Sequence, residues 1–441
     1  MRTPGCIFLI SIWIFIPVFV NAQNFNSDSL KENPTLTSCI KYAIQHNPVL
    51  HNYRINESIT ESLVKERLSD WYPQLSFSYN LQHNFQLPVS NVNGTINHNG
   101  TFNTSNGQFG VTQNLFNRDV IFAGRTASDV RKSSVQSTIN QSINLAVQVS
   151  KTFYNLILGY QQINVIGEDI VRLKRNLQDA VYQYQAGIVD KTDYERATIS
   201  LNNAVAEQKS AEVNAKATLA YLKELMGLPD SLNFFPAYDT TQMLREIDVD
   251  TLQGINFQKR IEMQQLETQR RLQLYNLRYY HWSYLPDVSA YGNYNLNFLN
   301  NQFSKLYSNT YPNSFLGLTL TVPIFQGGKR MQQIRQAQFE VEQIENDIMN
   351  LKNSIISQYQ NALAEYKSNL YNFLSLKENM KLAKDVFNII QLQYRAGVKA
   401  YLDLITAETD LRSAQINYYN ALYQVLSSKI DIEQALGNIQ Y

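Results

Sequence analysis

Tyr184-Gln185-Ala186-Gly187 recurs 210 residues later as Tyr394-Arg395-Ala396-Gly397. The segment after each motif ends alike, at Leu225-Met226-Gly227 and at Ala435-Leu436-Gly437, and 40 residues separate first from last glycine in both. Upstream, Tyr72-Pro73-Gln74 corresponds to Leu285-Pro286-Asp287, and Leu115-Phe116 to Ile324-Phe325. From that Phe to the motif glycine the spacing is 71 residues in one copy and 72 in the other. Conserved spacing over such lengths reads as two copies of one unit, 36–227 and 252–437, joined by a linking segment at 228–251.

Each unit reads as helix, strand, loop, strand, long helix, turn, returning helix. Proline is absent between Pro88 and Pro229 and after Pro323, and glycine is absent between Gly328 and Gly397. Proline costs about 3 and glycine about 1 kcal/mol inside a helix, so these stretches favour continuous helices at 119–185 and 328–395. At ~1.5 Å per residue each would be about 100 Å long, too long for a globular core. Tyr194, Ala197, Leu201, Ala204, Gln208, Ala211, Ala215, Thr218, Leu222 and Leu225 keep strict 3–4 spacing, and the set recurs from Leu404 to Ala435. A seam dominated by small residues lets helices approach closely. A two-stranded rod would satisfy it, but a helical barrel, in which each helix has neighbours on two sides, suits it better.

Four stretches alternate with period 2. Leu75, Phe77, Tyr79 and Leu81 interleave with Gln74, Ser76, Ser78, Asn80 and Gln82 in the first, and Leu316, Leu318 and Leu320 with Gly317, Thr319 and Thr321 in the last. Strands are expected near 74–87, 106–117, 287–299 and 314–325, with loops at 91–106 and 300–313. Their polar partners are uncharged Asn, Gln, Ser and Thr, whereas the wet face of a soluble sandwich would carry Lys and Glu. Neutral polar positions opposite an apolar band suit a membrane barrel with a watery lumen. Four strands cannot close, and open edges do not survive in lipid, so other copies must complete the sheet.

Composition removes other classes. The 441 residues carry 38 Lys+Arg against 37 Asp+Glu, so no basic footprint points to nucleic acid. Cys6 and Cys39 alone cannot build a disulfide scaffold or a Cys-based zinc site. Arg2, an apolar run over residues 7–20 and Val20-Asn21-Ala22 read as a signal peptide, 1–22, cleaved after Ala22. Its apolar run is too short for a spanning helix. Gln23 rather than cysteine follows, so no lipid anchor is expected there, and Cys39 reads as a small buried hydrophobe.

The ordered motifs resemble the TolC-type outer-membrane efflux proteins, the outer-membrane factors of tripartite efflux and secretion systems. Leu36-Thr37, Asn47-Pro48, Pro73-Gln74-Leu75 and Val322-Pro323-Ile324-Phe325-Gln326-Gly327-Gly328 carry the likeness, together with the two turns at Gly187 and Gly397. One departure is Arg260-Ile261, where the second unit would repeat Asn47-Pro48. The resemblance implies a membrane α+β fold: a homotrimeric outer-membrane β-barrel, four strands per chain, continued by a long α-helical coiled-coil barrel through the periplasm. It implies a passive exit duct in the outer membrane of a Gram-negative-type cell, partnered by a periplasmic adaptor and an inner-membrane transporter. No catalysis and no cofactor are implied.

The resemblance also implies site residues. The tip turns, Ala186, Gly187, Ala396 and Gly397, would meet the adaptor. Thr192, Asp193, Tyr394, Lys399 and Asp403 match the family's gate, with Thr406 at its second carboxylate position. Three copies of Asp403 would ring the axis, and a Lys399–Asp193 ion pair would tie neighbouring helix pairs. Without the resemblance, Asp193 and Asp403 read equally well as helix-dipole partners. The five histidines show no metal-ligand spacing, and no nucleophile–base pattern emerges. A non-transporting, structural or adhesive envelope protein is the alternative class, disfavoured by the amphipathic strand pairs.

Overall fold

The computed structural model describes residues 34–441 apart from 93, 233, 235, 237–239 and 252. The expected signal peptide lies outside the described residues. Helices α1 (Leu36–His46) and α2 (Pro48–Ser69) lead into β1 (Gln74–His83), a small hairpin of β2 (Val89–Val92) and β3 (Thr95–His98), and β4 (Asn103–Phe116). Then come α3 (Arg118–Gln185), α4 (Lys191–Met226), α5 (Thr240–Arg245) and α6 (Ile261–His281). Strands β5 (Asp287–Asn300) and β6 (Tyr311–Thr321) and helices α7 (Lys329–Arg395) and α8 (Tyr401–Leu436) follow. Among the described residues no helix is long and apolar enough to cross a membrane.

Helices α3 and α7, 68 and 67 residues, run unbroken. Gly124, Gly159 and Gly167 do not interrupt α3, and the missing side chain at Gly167 lets Gln208 of α4 approach closely. Each long helix packs along its returning partner, α3 on α4 and α7 on α8, and α3 also packs on α8. The seam of small residues faces these contacts: Ala197, Ala204, Ala215, Leu222 and Leu225 are buried, as are Leu404, Ala407, Leu411, Ala421, Val425 and Ala435.

The largest core lies where these hairpins meet α1 and the segment after α4. Leu50, Phe153, Leu156, Leu222, Met226, Met243, Leu422 and Leu426 are fully enclosed there. Cys39 is among them, its thiol pushed up to about 12 by burial. The segment expected as a linker and the start of the second unit are strapped down by side chains of α7 and α8. Tyr366 donates to the Ile247 carbonyl at 2.9 Å, Tyr359 to Gln253 at 3.2 Å, and Lys429 to Glu246 at 2.6 Å.

Both returning helices stop the same way. Gly227 and Gly437 take φ of +70° and +71°, the left-handed region that favours glycine. A Cβ at Gly227 would lie 2.5 Å from the His46 carbonyl oxygen, and one at Gly437 3.0 Å from the Lys259 backbone.

The main sheet is antiparallel in the order β1-β4-β5-β6. Strand ends differ from the sequence expectation. β1 stops at His83 instead of residue 87, because its last ladder partner is Asn103, where β4 begins. The stretch expected as a loop at 91–106 holds the β2–β3 hairpin and the start of β4. β6 spans Tyr311–Thr321 rather than 314–325: Pro323 cannot donate to a ladder, and Gly327 and Gly328, both at positive φ, turn the chain into α7. Arg330 holds this turn, donating to the Pro323 carbonyl at 2.9 Å and stacking over Tyr284.

Candidate functional site

Two parts of the chain carry functional chemistry, the faces of the sheet and the ends of the helical hairpins. Register puts Gln74, Ser76, Ser78, Asn80 and Gln82 of β1 on one face with Thr104, Asn106, Gln108, Thr112 and Asn114 of β4. Across β4 the same face continues through Ser289, Asn293, Asn295 and Asn297 of β5, then Asn313, Thr319 and Thr321 of β6. Side-chain amides bridge the strands: Asn106 donates to Asn297, Gln108 to Asn293 at 2.8 Å, and Asn295 to Asn313 at 2.7 Å. Most positions are polar and uncharged; Asp287, opposite Thr321 at the start of β5, is the charged residue on this face. Tyr291 of β5 and Phe315 of β6 also lie on this face, and the period-2 reading of the two strands passed over both. The Tyr291 ring covers Gly317, where a Cβ would meet it at 2.6 Å.

The opposite face presents Leu75, Phe77, Phe109, Leu316, Leu318 and Leu320, with Leu75 83% and Leu316 84% exposed in the single chain. Such a contiguous apolar face needs lipid or protein against it.

At the other end of the molecule, α3 and α7 finish in matching turns. The Ile188 N–H reaches the Gln183 carbonyl and the Gly187 N–H that of Tyr184, both at 2.9 Å. Val398 and Gly397 repeat these bonds to Gln393 and Tyr394 at the same lengths. This double closure requires a left-handed residue, and Gly187 and Gly397 supply it at φ +75° and +73°. Ala186, Gly187, Ala396 and Gly397 are all exposed. Ile188 and Val398 stand out beside them, 72% and 73% exposed. Sequence reading missed these two, although an apolar residue follows the tip glycine in both copies.

The residues expected at the gate divide into two groups. Lys399, in the turn before α8, lies 3.7 Å from Asp403 in the first turn of that helix, not against Asp193. Within one chain the expected Lys399–Asp193 tie gives way to the Lys399–Asp403 pair. The Asp403 carboxylate also accepts from the Ala400 N–H at 3.3 Å, capping the start of α8. Asp193 belongs with the tyrosines instead. Tyr394 is pushed up by burial and by the Asp179 and Asp193 charges, opposed by its bond to Gln183. Tyr401 is pushed up by burial and then by Glu408, with Tyr394 and Asp193 adding to it. Thr192 and Thr406 are exposed, and Thr406 donates back to the Leu402 carbonyl at 2.8 Å.

The family model for outer membrane efflux proteins matches residues 39–228 and 257–438. The chain belongs to that family. It is 20% identical over 447 aligned residues to the outer membrane protein TolC of Escherichia coli, covering 96% of this chain and 86% of TolC. It is 21% identical to the alkaline protease secretion protein AprF of Pseudomonas aeruginosa, covering 81% of this chain and 74% of AprF. The fold superposes on the Campylobacter jejuni CmeC outer membrane channel with a TM-score of 0.73, at 17% identity over 99% of this chain and 94% of that one. The chain is thus an outer-membrane channel protein of the efflux and secretion class, its helical part extending into the periplasm.

Proposed function

We propose that three copies of this chain close a twelve-stranded barrel, and that the barrel and its helical tunnel form a passive exit duct. The supporting observation is the open four-stranded sheet, polar and largely uncharged on one face and apolar on the other, with β1 and β6 as its edges. Unpaired backbone edges are excluded from lipid, so closure by further copies satisfies them. Four strands per chain make twelve from three chains. On this reading the amide face lines the lumen, and Leu75, Phe77, Leu316 and Leu318 meet acyl chains.

The helical hairpins then carry the duct inward. The tip turns, with Ile188 and Val398 exposed, would receive a periplasmic adaptor, and an inner-membrane transporter would supply energy and most of the selectivity. Three Asp403 carboxylates near the axis would favour cations and hold off anions. The chain as two copies of one unit, 36–227 and 252–437, belongs to the same proposal, supported by the matched turns at Gly187 and Gly397.

Conductance tests the duct. Purified protein inserted in a planar bilayer should give discrete, water-filled channel openings. Stable insertion without conductance, under any polarity or salt, would overturn the reading.

A further inference from the structure

A charged node is buried between the two hairpins, about five turns from the tip of α3 along the helix. Asp169 and Glu408 are 0% and 1% exposed. Asp169 and Arg172 of α3 pair at 3.1 Å, and Arg172 reaches across to Glu408 of α8 at 3.2 Å. Arg412 of α8 returns the link to Asp169 at 2.8 Å and touches Glu207 of α4 at 3.7 Å. Asn176 donates to the second Glu408 oxygen at 2.8 Å, and α7 contributes the Phe387 ring beneath the Arg172 guanidinium. All four long helices therefore touch one cluster. It interrupts an otherwise apolar seam, with Ile166, Ile170, Leu173 and Ala204 in one patch and Phe387, Tyr401, Leu404 and Leu411 in the other.

We propose that this node is the proton-responsive joint between the two hairpins: a proton on Glu408 tightens the α3–α8 seam, and its loss loosens it. Geometry is the first support: Asp169 and Glu408, both buried, share the Arg172 guanidinium, so two like charges lie side by side in the seam when both are ionised. Glu207 is exposed and meets Arg412 from the solvent side. A proton on Glu408 relieves the repulsion between the two buried carboxylates. Tyr401, two turns earlier on α8, is the other titratable group that feels Glu408, and it remains a neutral phenol.

The direction follows from linkage. Burial, then the Asp169 charge, pushes Glu408 up to about 7, against the opposing pull of Arg172 and Asn176. The packed seam thus binds this proton more tightly than a separated seam, where Glu408 would meet water. Acid favours the packed seam. The stabilisation is complete below the ordinary carboxylate range near 4.5 and is lost as pH rises through about 7. A buried, unprotonated carboxylate beside Asp169 then favours any arrangement that admits water between α3 and α8.

Spin labels on exposed positions of the two helices read this directly in the mature protein in detergent, from which the expected cleavage after Ala22 has removed Cys6. Lys174→Cys on α3 and Asp410→Cys on α8 supply the sites, while Cys39 is buried and does not compete for label. The α3–α8 distance distribution should move outward or broaden between pH 5.5 and 8.5, with a midpoint near 7. Glu408→Gln, close in shape and unable to ionise, should hold the acid distribution at both pH values. Asp169→Asn removes the neighbouring negative charge and should move the midpoint to lower pH, an independent check if the Gln variant assembles poorly. A distribution unchanged with pH in the parent, or a pH response in Glu408→Gln equal to the parent's, would overturn the proposal. Neither outcome depends on whether the assembly conducts.

Discussion

Arg260 does for α8 what Asn47 does for α4. The Asn47 amide donates to the Leu225 carbonyl at 2.8 Å, and the Arg260 guanidinium donates to the Ala435 carbonyl at 3.0 Å. Both side chains are buried, and both close the last turn of a returning helix just before its left-handed glycine. The acceptors, Leu225 and Ala435, are 210 residues apart, so one contact is made twice by different chemistry.

Removing either donor leaves a buried carbonyl without a partner, which costs about 1–3 kcal/mol. Asn47→Ala loses in addition the cap to Leu50, made at 2.9 Å, worth about 1 kcal/mol. Arg260→Met also strands Glu262 and Gln358, its other partners. Hydrogen exchange in detergent should show both variants opening first at the end of the affected returning helix, α4 for Asn47 and α8 for Arg260. Protection unchanged at residues 222–226 and 432–436 would contradict the shared role.

Glycines at equal φ should not respond equally. Gly187 has open space around its Cβ direction, so Gly187→Ala carries only the left-handed strain of about 1–2 kcal/mol. Gly227→Ala adds a clash with the His46 backbone, which cannot move without displacing the buried cap. Thermal unfolding in detergent should therefore fall much further for Gly227→Ala than for Gly187→Ala.

Lys399 and Asp403 form an exposed pair at the start of α8, worth about 0–1 kcal/mol. Lys399→Ala should leave thermal stability unchanged while freeing the Asp403 carboxylate, so block by multivalent cations should strengthen in single-channel recordings. Asp403→Ala should weaken that block. Equal block in the parent and both variants would place the constriction elsewhere along the tip.

Neighbouring positions on β6 should tolerate charge in opposite ways. Leu318→Lys sets an ammonium on the apolar face, at a cost of about 2–4 kcal/mol near the bilayer midplane. Thr319→Lys sets it on the amide face, where it should be accepted and should shift selectivity toward anions. Assembly yield in membranes separates the two variants.

The long helix α7 was legible because proline and glycine act locally: their absence over 329–396 needs no tertiary information. The Ala-rich seam was legible for a similar reason, since a 3–4 repeat belongs to one helix. The limits of β1 and β6 were not, because a strand ends where its partner ends, and Asn103 is not adjacent in sequence to His83. The Asp169–Glu408 node was invisible for the strongest form of that reason. Glu408 and Arg412, four residues apart, look like an ordinary wet helix pair until α3 brings Asp169 and Arg172 against them. The partner of Lys399 could have been found, because Asp403 lies only four residues ahead of it.

Closure of the sheet by other copies of the chain is the central claim, and mass measurement of the detergent-solubilised outer-membrane protein tests it most directly. The expected species has three chain masses and keeps its β signal, with β1 of one copy paired to β6 of the next. A stable, fully folded monomer retaining that β signal would contradict it.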